Sequence, residues 1–395
     1  MRFLRGAPWF AMPLGIFVLT RLFDAVVIVL MARHQIPASS LPRDALVPTV
    51  IDPPSYLSAI QSWDGQWYRQ IVEHGYPSTL PTRDGEVTQN AWAFYPGYPA
   101  LVWLVTRLGL SFGVAASAVS LVAGGAAMCL LYRLVRLRSS DWMAGVTVLA
   151  VCCAPMAPVL QVAYTESVAL LLLLLGLWWL HHRRYGWVAL VGLALALVRP
   201  VTLPLAVAVA VELALRWRRR EREDFPARER AALIGAMITI AVSAVIWPLV
   251  AGIVVGDLSA YSDTQKAWRG TAGTRPDTWL VSLLHGAPPA RWVFVVVVVA
   301  VAVWIGWRNR QWTDGTRAWV AAYPAYVLAA TPPTSSLFRY LMLLGPGLWP
   351  FSKSEAIVRE KRGLVVLGIV VLGLATQVLW LYWYFVITPG SRGTP

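Results

Sequence analysis

Long apolar runs recur from one end of this chain to the other, and they constrain its fold more than any other feature. Examples are WFAMPLGIFVLT at 9–20, WVFVVVVVAVAVWIGW at 292–307 and LVVLGIVVLGLATQVLWLYWYFVI at 364–387. A helix needs about 20 mostly apolar residues to cross a bilayer. Only 14% of the residues are charged, against about 25% in an average soluble domain. The sequence therefore predicts an all-α, polytopic membrane protein.

The apolar segments follow one another closely enough to form a single helix bundle over residues 1–395. By length and hydropathy we expect about ten to twelve membrane segments. They lie near 9–32, 94–110, 113–135, 141–160, 163–181, 186–213, 231–255, 291–308, 317–331, 336–351 and 363–388. Two long polar segments, 33–92 and 256–290, separate them, and we expect amphipathic helices in these loops. The first helix has no clear cleavage site, so we expect it to be retained.

The net charge of +14 comes mainly from short loops such as HHRRYG, RWRRREREDFPARERA and SKSEAIVREKRG. In membrane proteins Lys and Arg concentrate in cytoplasmic loops. The pattern predicts a multi-pass protein of the plasma membrane, with a cytoplasmic N-terminus and with both long polar segments outside. It does not indicate a nucleic-acid partner, because no soluble face combines basic and aromatic residues.

Two segments complicate this topology. If both 94–110 and 113–135 crossed, the basic YRLVRLRSS loop would lie outside, so either one of them is re-entrant or the charge rule fails there. Segment 186–213 carries Arg199-Pro200 near its middle. A proline inside a helix breaks it, which favours a broken hairpin that returns to the cytoplasm.

The sequence offers no cofactor site. Cys129, Cys152 and Cys153 lie in apolar segments, without the spacing of metal ligands or of a disulfide framework. There is no Walker A loop, no dinucleotide fingerprint and no Asp-x-Asp that could hold the metal of a sugar nucleotide. We therefore expect neither a cofactor nor a metal.

The stretch SWDGQWYRQIVEHGYP at 62–77 places a carboxylate, Asp64, among aromatic side chains. Asp52 can cap a helix that Gly75 ends, so we expect one amphipathic helix over about 52–75. Its apolar face would carry Tyr56, Leu57, Ile60, Trp63, Trp67, Tyr68 and Ile71. Asp64 falls on the same face, where an ionised carboxylate is unfavourable unless it is paired. It either faces a cavity as a functional group or is satisfied by a structural arginine.

Arginines within apolar segments are the candidate partners of this carboxylate. Arg199 and Arg339 are expected to face a cavity or an anion, although helix-end snorkelling or a structural ion pair would also explain them. Glu166 opens a helix, where it is either a cap or a further acidic group of the site. A carboxylate beside cations suits sugar transfer, because it can take a proton from a hydroxyl while a lipid phosphate leaves.

The motifs WDGQWYRQIVEHGY and AFYPGYPALVWL resemble the opening motifs of the PIG-V family of glycosylphosphatidylinositol mannosyltransferases and of its bacterial membrane relatives. The stretches YTESVALLLLLLGLW, GLALALVRPVTL and SLFRYLMLLGP resemble later segments of that family in the same order, so the likeness covers most of the chain. The resemblance implies an inverting glycosyltransferase of the GT-C class. Such enzymes take a sugar, usually mannose, from a polyprenyl phosphate on the outer side of the membrane.

The resemblance also implies roles for individual residues. Asp64 corresponds to the family's acidic residue in the first external loop, a general base or acceptor anchor. Arg199, Arg339 and Tyr340 match the later motifs, and it is the positive charge of the two arginines, not the resemblance, that makes us expect donor phosphate binding here. Residues expected to shape the substrate site or to close over it are Trp63, Trp67, Tyr68, Glu166, Gln265, Trp268 and Arg269. Frequent Ala, Val and Arg suggest a GC-rich bacterial genome, so we expect a glycan, glycolipid or protein of the cell envelope as acceptor.

Two other functions are compatible with the sequence. A transporter or flippase of lipid-linked sugars also places charges at mid-membrane, but it predicts paired broken helices in two related halves. Only the break at Arg199-Pro200 is evident. A non-catalytic scaffold of the cell envelope is disfavoured by a carboxylate on the apolar face of an external helix.

Overall fold

The computed structural model describes residues 8–34, 55–269, 311–331, 336–348 and 359–385, together with residues 300–301, 304 and 308–309. Most of this part is helical, which confirms the predicted all-α fold. The helices are α1 (Ala11–Ala32), α2 (Tyr56–Ala59), α3 (Asp64–His74), α4 (Gly97–Thr106), α5 (Phe112–Arg136), α6 (Asp141–Cys152), α7 (Glu166–His181), α8 (Tyr185–Ala196), α9 (Thr202–Arg219), α10 (Ala227–Ser243), α11 (Ile246–Val255), α12 (Ala260–Arg269), α13 (Asp314–Ala330), α14 (Leu337–Tyr340) and α15 (Arg362–Trp380).

Three short 3-10 helices, one π-helical segment (Leu381–Phe385) and one small hairpin complete the described secondary structure. The 3-10 helices are Ala91–Ala93, Ala157–Leu160 and Leu341–Leu348. Strands β1 (Thr82–Arg83) and β2 (Glu86–Val87) pair antiparallel, with Thr82 opposite Val87. Like α2 and α3, the hairpin belongs to the first polar segment.

Four helical stretches of the described part are long and apolar enough to cross a membrane, namely Ala11–Ala32, Phe112–Arg136, Ala227–Val255 and Arg362–Trp383. Five shorter apolar helices accompany them: Gly97–Thr106, Asp141–Cys152, Glu166–His181, Tyr185–Ala196 and Leu337–Leu348. By length and composition the chain is therefore a membrane protein. The helices α9 and α13 overlap the predicted segments 186–213 and 317–331. Most of the predicted segment 291–308 lies outside the described residues, so the count of ten to twelve segments stays a prediction.

Basic loops gather at one end of the bundle, which we call the basic end. Arg183, between α7 and α8, lies 3.4 Å from Glu223 in the loop after α9. Arg219, at the end of α9, lies 3.1 Å from Asp314 at the start of α13. The helices α8 and α9 both run between this end and the opposite one, where residues 197–201 connect them.

The helix α4 covers the first of the two segments that complicated the predicted topology. It has 10 residues, so at about 1.5 Å per residue it is too short to cross a bilayer. The Gly97 amide at its start donates to the carbonyl oxygen of Leu197 at 2.6 Å. Trp103 near its end shares a cleft with Val72 of α3. One end of α4 therefore contacts the link between α8 and α9, and the other end lies beside α3.

The second of these segments, 186–213, is interrupted at Arg199-Pro200. The helix α8 ends at Ala196 and α9 begins at Thr202, which confirms the predicted break. Proline cannot donate a backbone hydrogen bond and restricts the residue before it, so the chain turns here. The helix α9 then continues to Arg219, beyond the expected end at 213.

The prediction of a single amphipathic helix over 52–75 is wrong, because α2 and α3 are separate helices. Asp52, its expected cap, lies outside the described residues, and Ser55 instead caps α2 through a capping box with Ser58. The chain then turns, and Asp64 begins a new helix, α3. Asp64 therefore occupies a first helical turn and not the middle of a continuous apolar face. Gly75, with a φ of 77°, ends α3 as predicted.

Candidate active site

A tight turn over residues 62–65 presents Asp64. The Gly65 amide donates to the carbonyl oxygen of Ser62 at 3.2 Å. Between them Trp63 has φ 59° and ψ −119°. These angles belong to the first central position of a type II′ turn, which glycine dominates. A tryptophan there is strained, so contacts elsewhere must hold it in place.

Two distant parts of the chain supply these contacts. The Trp63 indole nitrogen donates to the carbonyl oxygen of Phe385 at 2.8 Å. The Ala163 amide donates to the carbonyl oxygen of Ile60 at 3.0 Å. A Cβ on Gly65 would lie 3.3 Å from the Cβ of Ala163, so glycine allows this close approach. The turn is therefore fixed between the segment before α7 and the C-terminal helical region.

The turn places Asp64 in a chain of ion pairs that joins four segments. Arg339 Nη1 lies 2.5 Å from Asp64 Oδ2 and 3.5 Å from Glu166 Oε1. Arg199 Nη1 lies 2.6 Å from the same Glu166 oxygen. We call Asp64, Arg339, Glu166 and Arg199 the ion network. With two carboxylates and two guanidiniums it is balanced in charge, and the structure brings together all four residues that the sequence singled out.

The ion network is buried to different depths. The Glu166 side chain is 0% exposed, Arg339 7%, Arg199 11% and Asp64 23%. Glu166 opens α7, where the helix dipole also favours a negative charge. Arg339 Nε is buried without a hydrogen-bond partner among the described residues. Asp64 is thus the member most accessible to a substrate, and Arg339 keeps an unused donor behind it.

Aromatic rings surround the two arginines. The Arg339 guanidinium carbon lies 5.0 Å from the Tyr164 ring centroid and 5.3 Å from that of Tyr340. The Arg199 guanidinium carbon lies 4.9 Å from the Tyr340 ring centroid. Cation–π contacts of this kind hold guanidinium groups in place. The Tyr340 ring thus contacts both guanidiniums, beside the arginines with which it was predicted to act. Tyr164 also contacts Arg339, and the sequence analysis did not identify it.

Tyr68 lies close to the ion network without joining it. Its ring packs edge-to-face against Phe94 and Tyr98, at centroid distances of 5.3 and 5.1 Å. Burial raises the pKa of Tyr68 well above its ordinary value, and the negative charges of Asp64 and Glu166 raise it further. Its hydroxyl is therefore neutral at physiological pH.

The aromatic residues expected to close over the site pack together at the same end. The Trp67 ring stacks on Phe94 at 5.7 Å and meets Trp268 of α12 edge-to-face at 5.2 Å. The Trp268 indole donates to the carbonyl oxygen of Asn90 at 3.2 Å. These contacts fasten α12 onto the first polar segment. No described hydrogen bond or ion pair joins these aromatic side chains to the ion network.

Two further predicted residues lie on α12. Gln265 is half-buried, and the structure gives it no pairing with the ion network among the described residues. Arg269 ends the helix, and its side chain lies outside the described part, as do residues 270–290 of the second polar segment.

Arg21 and Asp24, three residues apart on α1, form an ion pair of 2.8 Å that is almost fully buried. Arg21 also donates to the carbonyl oxygens of Ala157 and, at 2.9 Å, Cys152. The pair therefore holds the link between α6 and α7, which leads into Glu166. The helical spacing of three residues could have signalled the pair, but not its backbone partners.

Among the described residues, no group of three or more His, Cys, Asp and Glu side chains could hold a metal ion. The polar chemistry available at the site is thus that of two carboxylates, two guanidiniums and neutral tyrosines. Such a set can accept a proton and can bind an anion.

Neither a scan against family models nor a search of curated proteins finds a match to this chain. Among solved structures, it is similar to the Archaeoglobus fulgidus oligosaccharyltransferase tethered by a disulfide to an acceptor peptide with the sequon NVT. The identity is 11% and the TM-score 0.41, over 100% of this chain and 56% of that one. A second structure of that enzyme, with zinc and sulfate, gives 11% and 0.40, over 95% and 53%. The chain spans about half the length of these structures, and so distant a likeness does not assign an activity.

Proposed function

We propose that this chain is a membrane glycosyltransferase of the GT-C class, which moves a mannosyl or similar hexosyl unit from a polyprenyl phosphate to an acceptor hydroxyl. The observation that carries the proposal is the contact between Asp64 and Arg339 at one end of an apolar helix bundle. It pairs a proton acceptor with a phosphate-binding cation. The PIG-V-like motifs that contain both residues support the same function.

In this mechanism Asp64 takes the proton of the acceptor hydroxyl. The hydroxyl oxygen then attacks the anomeric carbon of the sugar, and a new carbon–oxygen bond forms with inversion. The bond between that carbon and the phosphate oxygen breaks, and its electron pair leaves with the lipid phosphate. Arg339 and Arg199 stabilise this phosphate, because a guanidinium binds phosphate oxygens through paired, charge-assisted hydrogen bonds.

The surroundings of the ion network suit such substrates. Asp64 is its most exposed member, so an acceptor reaches the base first. The aromatic cluster of α3 and α12 offers faces on which a sugar can stack. The apolar helices around the site suit the prenyl chain. On this proposal the donor is a substrate, and neither a cofactor nor a metal takes part.

The proposed orientation follows from charge. The ion network lies at the end opposite the basic loops, which the positive-inside rule assigns to the cytoplasm. Transfer would then occur on the outer side of the plasma membrane, onto a glycan, glycolipid or protein of the cell envelope.

The test is a transfer assay with the purified full-length chain in lipid nanodiscs. Polyprenyl phosphates that carry radiolabelled mannose, glucose or galactose are each offered with a cell-envelope fraction as acceptor. We expect label to move from lipid to acceptor, most efficiently from the mannosyl donor. If all label stays on the lipid while the chain speeds the passage of that lipid across vesicles, the chain is a flippase instead.

A further inference from the structure

We propose that Arg339 couples the charge of Asp64 to the charge of the lipid phosphate, so that re-ionised Asp64 expels the prenyl phosphomonoester product. This inference rests on the proposed function and extends it to product release. It assigns Asp64 a second task, which a general base does not need to have.

The charges of the reaction motivate this coupling. The lipid phosphodiester donor carries one negative charge and Asp64 carries another. After transfer Asp64 holds the proton of the acceptor and is neutral, whereas the phosphomonoester carries about −1.5 to −2 charges near neutral pH. One negative charge has therefore passed from Asp64 to the phosphate, and the charge of the site as a whole is nearly unchanged.

Arg339 is placed to respond to both anions. Its Nη1 contacts Asp64 at 2.5 Å, while its Nε is buried and has no hydrogen-bond partner among the described residues. A phosphate that binds this guanidinium would compete with Asp64 for the same cation. Glu166 depends less on Arg339, because Arg199 lies closer to it, at 2.6 Å.

Other groups near Asp64 cannot take over this role. Glu166 lies between two guanidiniums and is fully buried, so it stays ionised. Burial raises the pKa of Tyr68 well above the ordinary value, so its hydroxyl stays neutral. Asp64 is the most exposed member of the ion network and can return its proton to water. Its negative charge then repels the phosphomonoester, and like charges that share one cation oppose each other.

A binding experiment without sugar or acceptor tests the coupling. The probes are farnesyl phosphate and its methyl diester, and the proteins are the full-length wild type and Asp64→Asn. We expect Asp64→Asn to bind farnesyl phosphate about tenfold more tightly, a difference of about 1.4 kcal/mol. The gain in affinity should be smaller for the methyl diester, because the diester carries one negative charge fewer. The matched control is Asp84→Asn, an exposed turn residue with a φ of 54°, a conformation that asparagine tolerates.

A second substitution assigns the effect to Arg339. In an Arg339→Gln background, Asp64→Asn should tighten the binding of farnesyl phosphate less than it does in the presence of Arg339, because competition for the shared cation is gone and only direct repulsion is left. Unchanged or weaker binding by folded Asp64→Asn overturns the inference. Equal gains for the monoester and the diester also overturn it, since charge exchange predicts a difference.

The wild type provides a measurement that does not depend on the folding of Asp64→Asn. A hydrophobic carbodiimide modifies protonated carboxyl groups, and mass spectrometry reports the labelling of Asp64. Coupling is reciprocal, so farnesyl phosphate should increase this labelling. Unchanged labelling at saturating farnesyl phosphate contradicts the inference. If farnesyl phosphate increases the labelling of Asp64 but the wild type transfers no sugar, only the proposed function is refuted. If the wild type transfers sugar but Asp64→Asn does not bind farnesyl phosphate more tightly, only the inference is refuted.

Discussion

The indole nitrogen of Trp63 donates a hydrogen bond of 2.8 Å to the carbonyl oxygen of Phe385, 322 positions later in the chain. The bond joins the strained residue that precedes Asp64 to the C-terminal helical region. It therefore links the position of the proposed base to packing at the far end of the sequence. This link can be tested without disturbing the ion network itself.

Trp63→Phe keeps an aromatic ring and removes the indole donor. We expect a loss of about 1 kcal/mol in stability, because the Phe385 carbonyl loses its partner. We also expect slower sugar transfer with little change in the KM for donor, because Asp64 is held less firmly. Thermal unfolding and steady-state kinetics measure these effects. Trp217→Phe, at a 46% exposed residue of α9, is the control and should change neither.

The backbone strain at Trp63 gives a separate prediction. Trp63→Ala and Trp63→Gly both remove the side chain, but only glycine adopts φ 59° and ψ −119° without strain. We expect Trp63→Gly to be more stable than Trp63→Ala by about 1 kcal/mol. At Trp67, inside α3, the order should reverse, because glycine destabilises a helix interior by about 1 kcal/mol relative to alanine. Equal stability of the two Trp63 variants would show that the turn is not strained.

Charges in apolar segments were the part of the site that the sequence could predict. Arg199 and Arg339 are unfavourable in a bilayer without an anion. Asp64 and Glu166 were the carboxylates expected at the site, and the structure joins all four residues. Which carboxylate meets which arginine depends on helix packing over long sequence separations, so it could not be deduced from spacing.

The local shape around Asp64 could not be predicted for a different reason. Helical phasing from 52 to 75 assumes one continuous helix, whereas the chain turns before Asp64. A type II′ turn normally shows itself by a glycine at its first central position, and here Trp63 occupies that position. Tertiary contacts override the local preference at this point.

Asp64→Asn tests the role of the base directly. Loss of general-base catalysis slows a reaction by about 10²–10⁴-fold, so we expect turnover to fall by at least a hundredfold. The asparagine side chain should preserve the fold, because it fills the same volume as aspartate and its amide oxygen can still accept a hydrogen bond from Arg339. Asp84→Asn, in the exposed turn of the small hairpin, should keep wild-type turnover. If Asp64→Asn keeps more than about a tenth of wild-type turnover, Asp64 is not the base.

Metal removal should leave sugar transfer unchanged. Arginines can stabilise a leaving phosphate without a divalent ion. We therefore expect the same rate before and after treatment with excess EDTA. Loss of activity that manganese or magnesium restores would contradict this expectation and point to carboxylates such as Asp84 and Glu86 of the first polar segment.

Arg339→Lys separates phosphate binding from a purely structural ion pair. Lysine keeps the positive charge near Asp64 but loses the planar set of donors that binds phosphate bidentately. We expect weaker binding of the polyprenyl-phosphate donor and slower transfer, with thermal stability close to that of the wild type. Arg220→Lys, at an exposed arginine of the basic end, is the control and should change none of these.

The structural alternative predicts the opposite pattern for the same variant. Arg339 is almost fully buried and joins Asp64 to Glu166. If its only task were to hold these two carboxylates, Arg339→Lys would lower the unfolding temperature, and donor affinity per folded molecule would stay constant. Removal of a buried pair's partner is strongly destabilising, by about 3–5 kcal/mol, so Asp64→Asn would then unfold as well. Measured together, donor affinity and unfolding temperature of the two variants decide whether Arg339 binds the phosphate or only supports the fold.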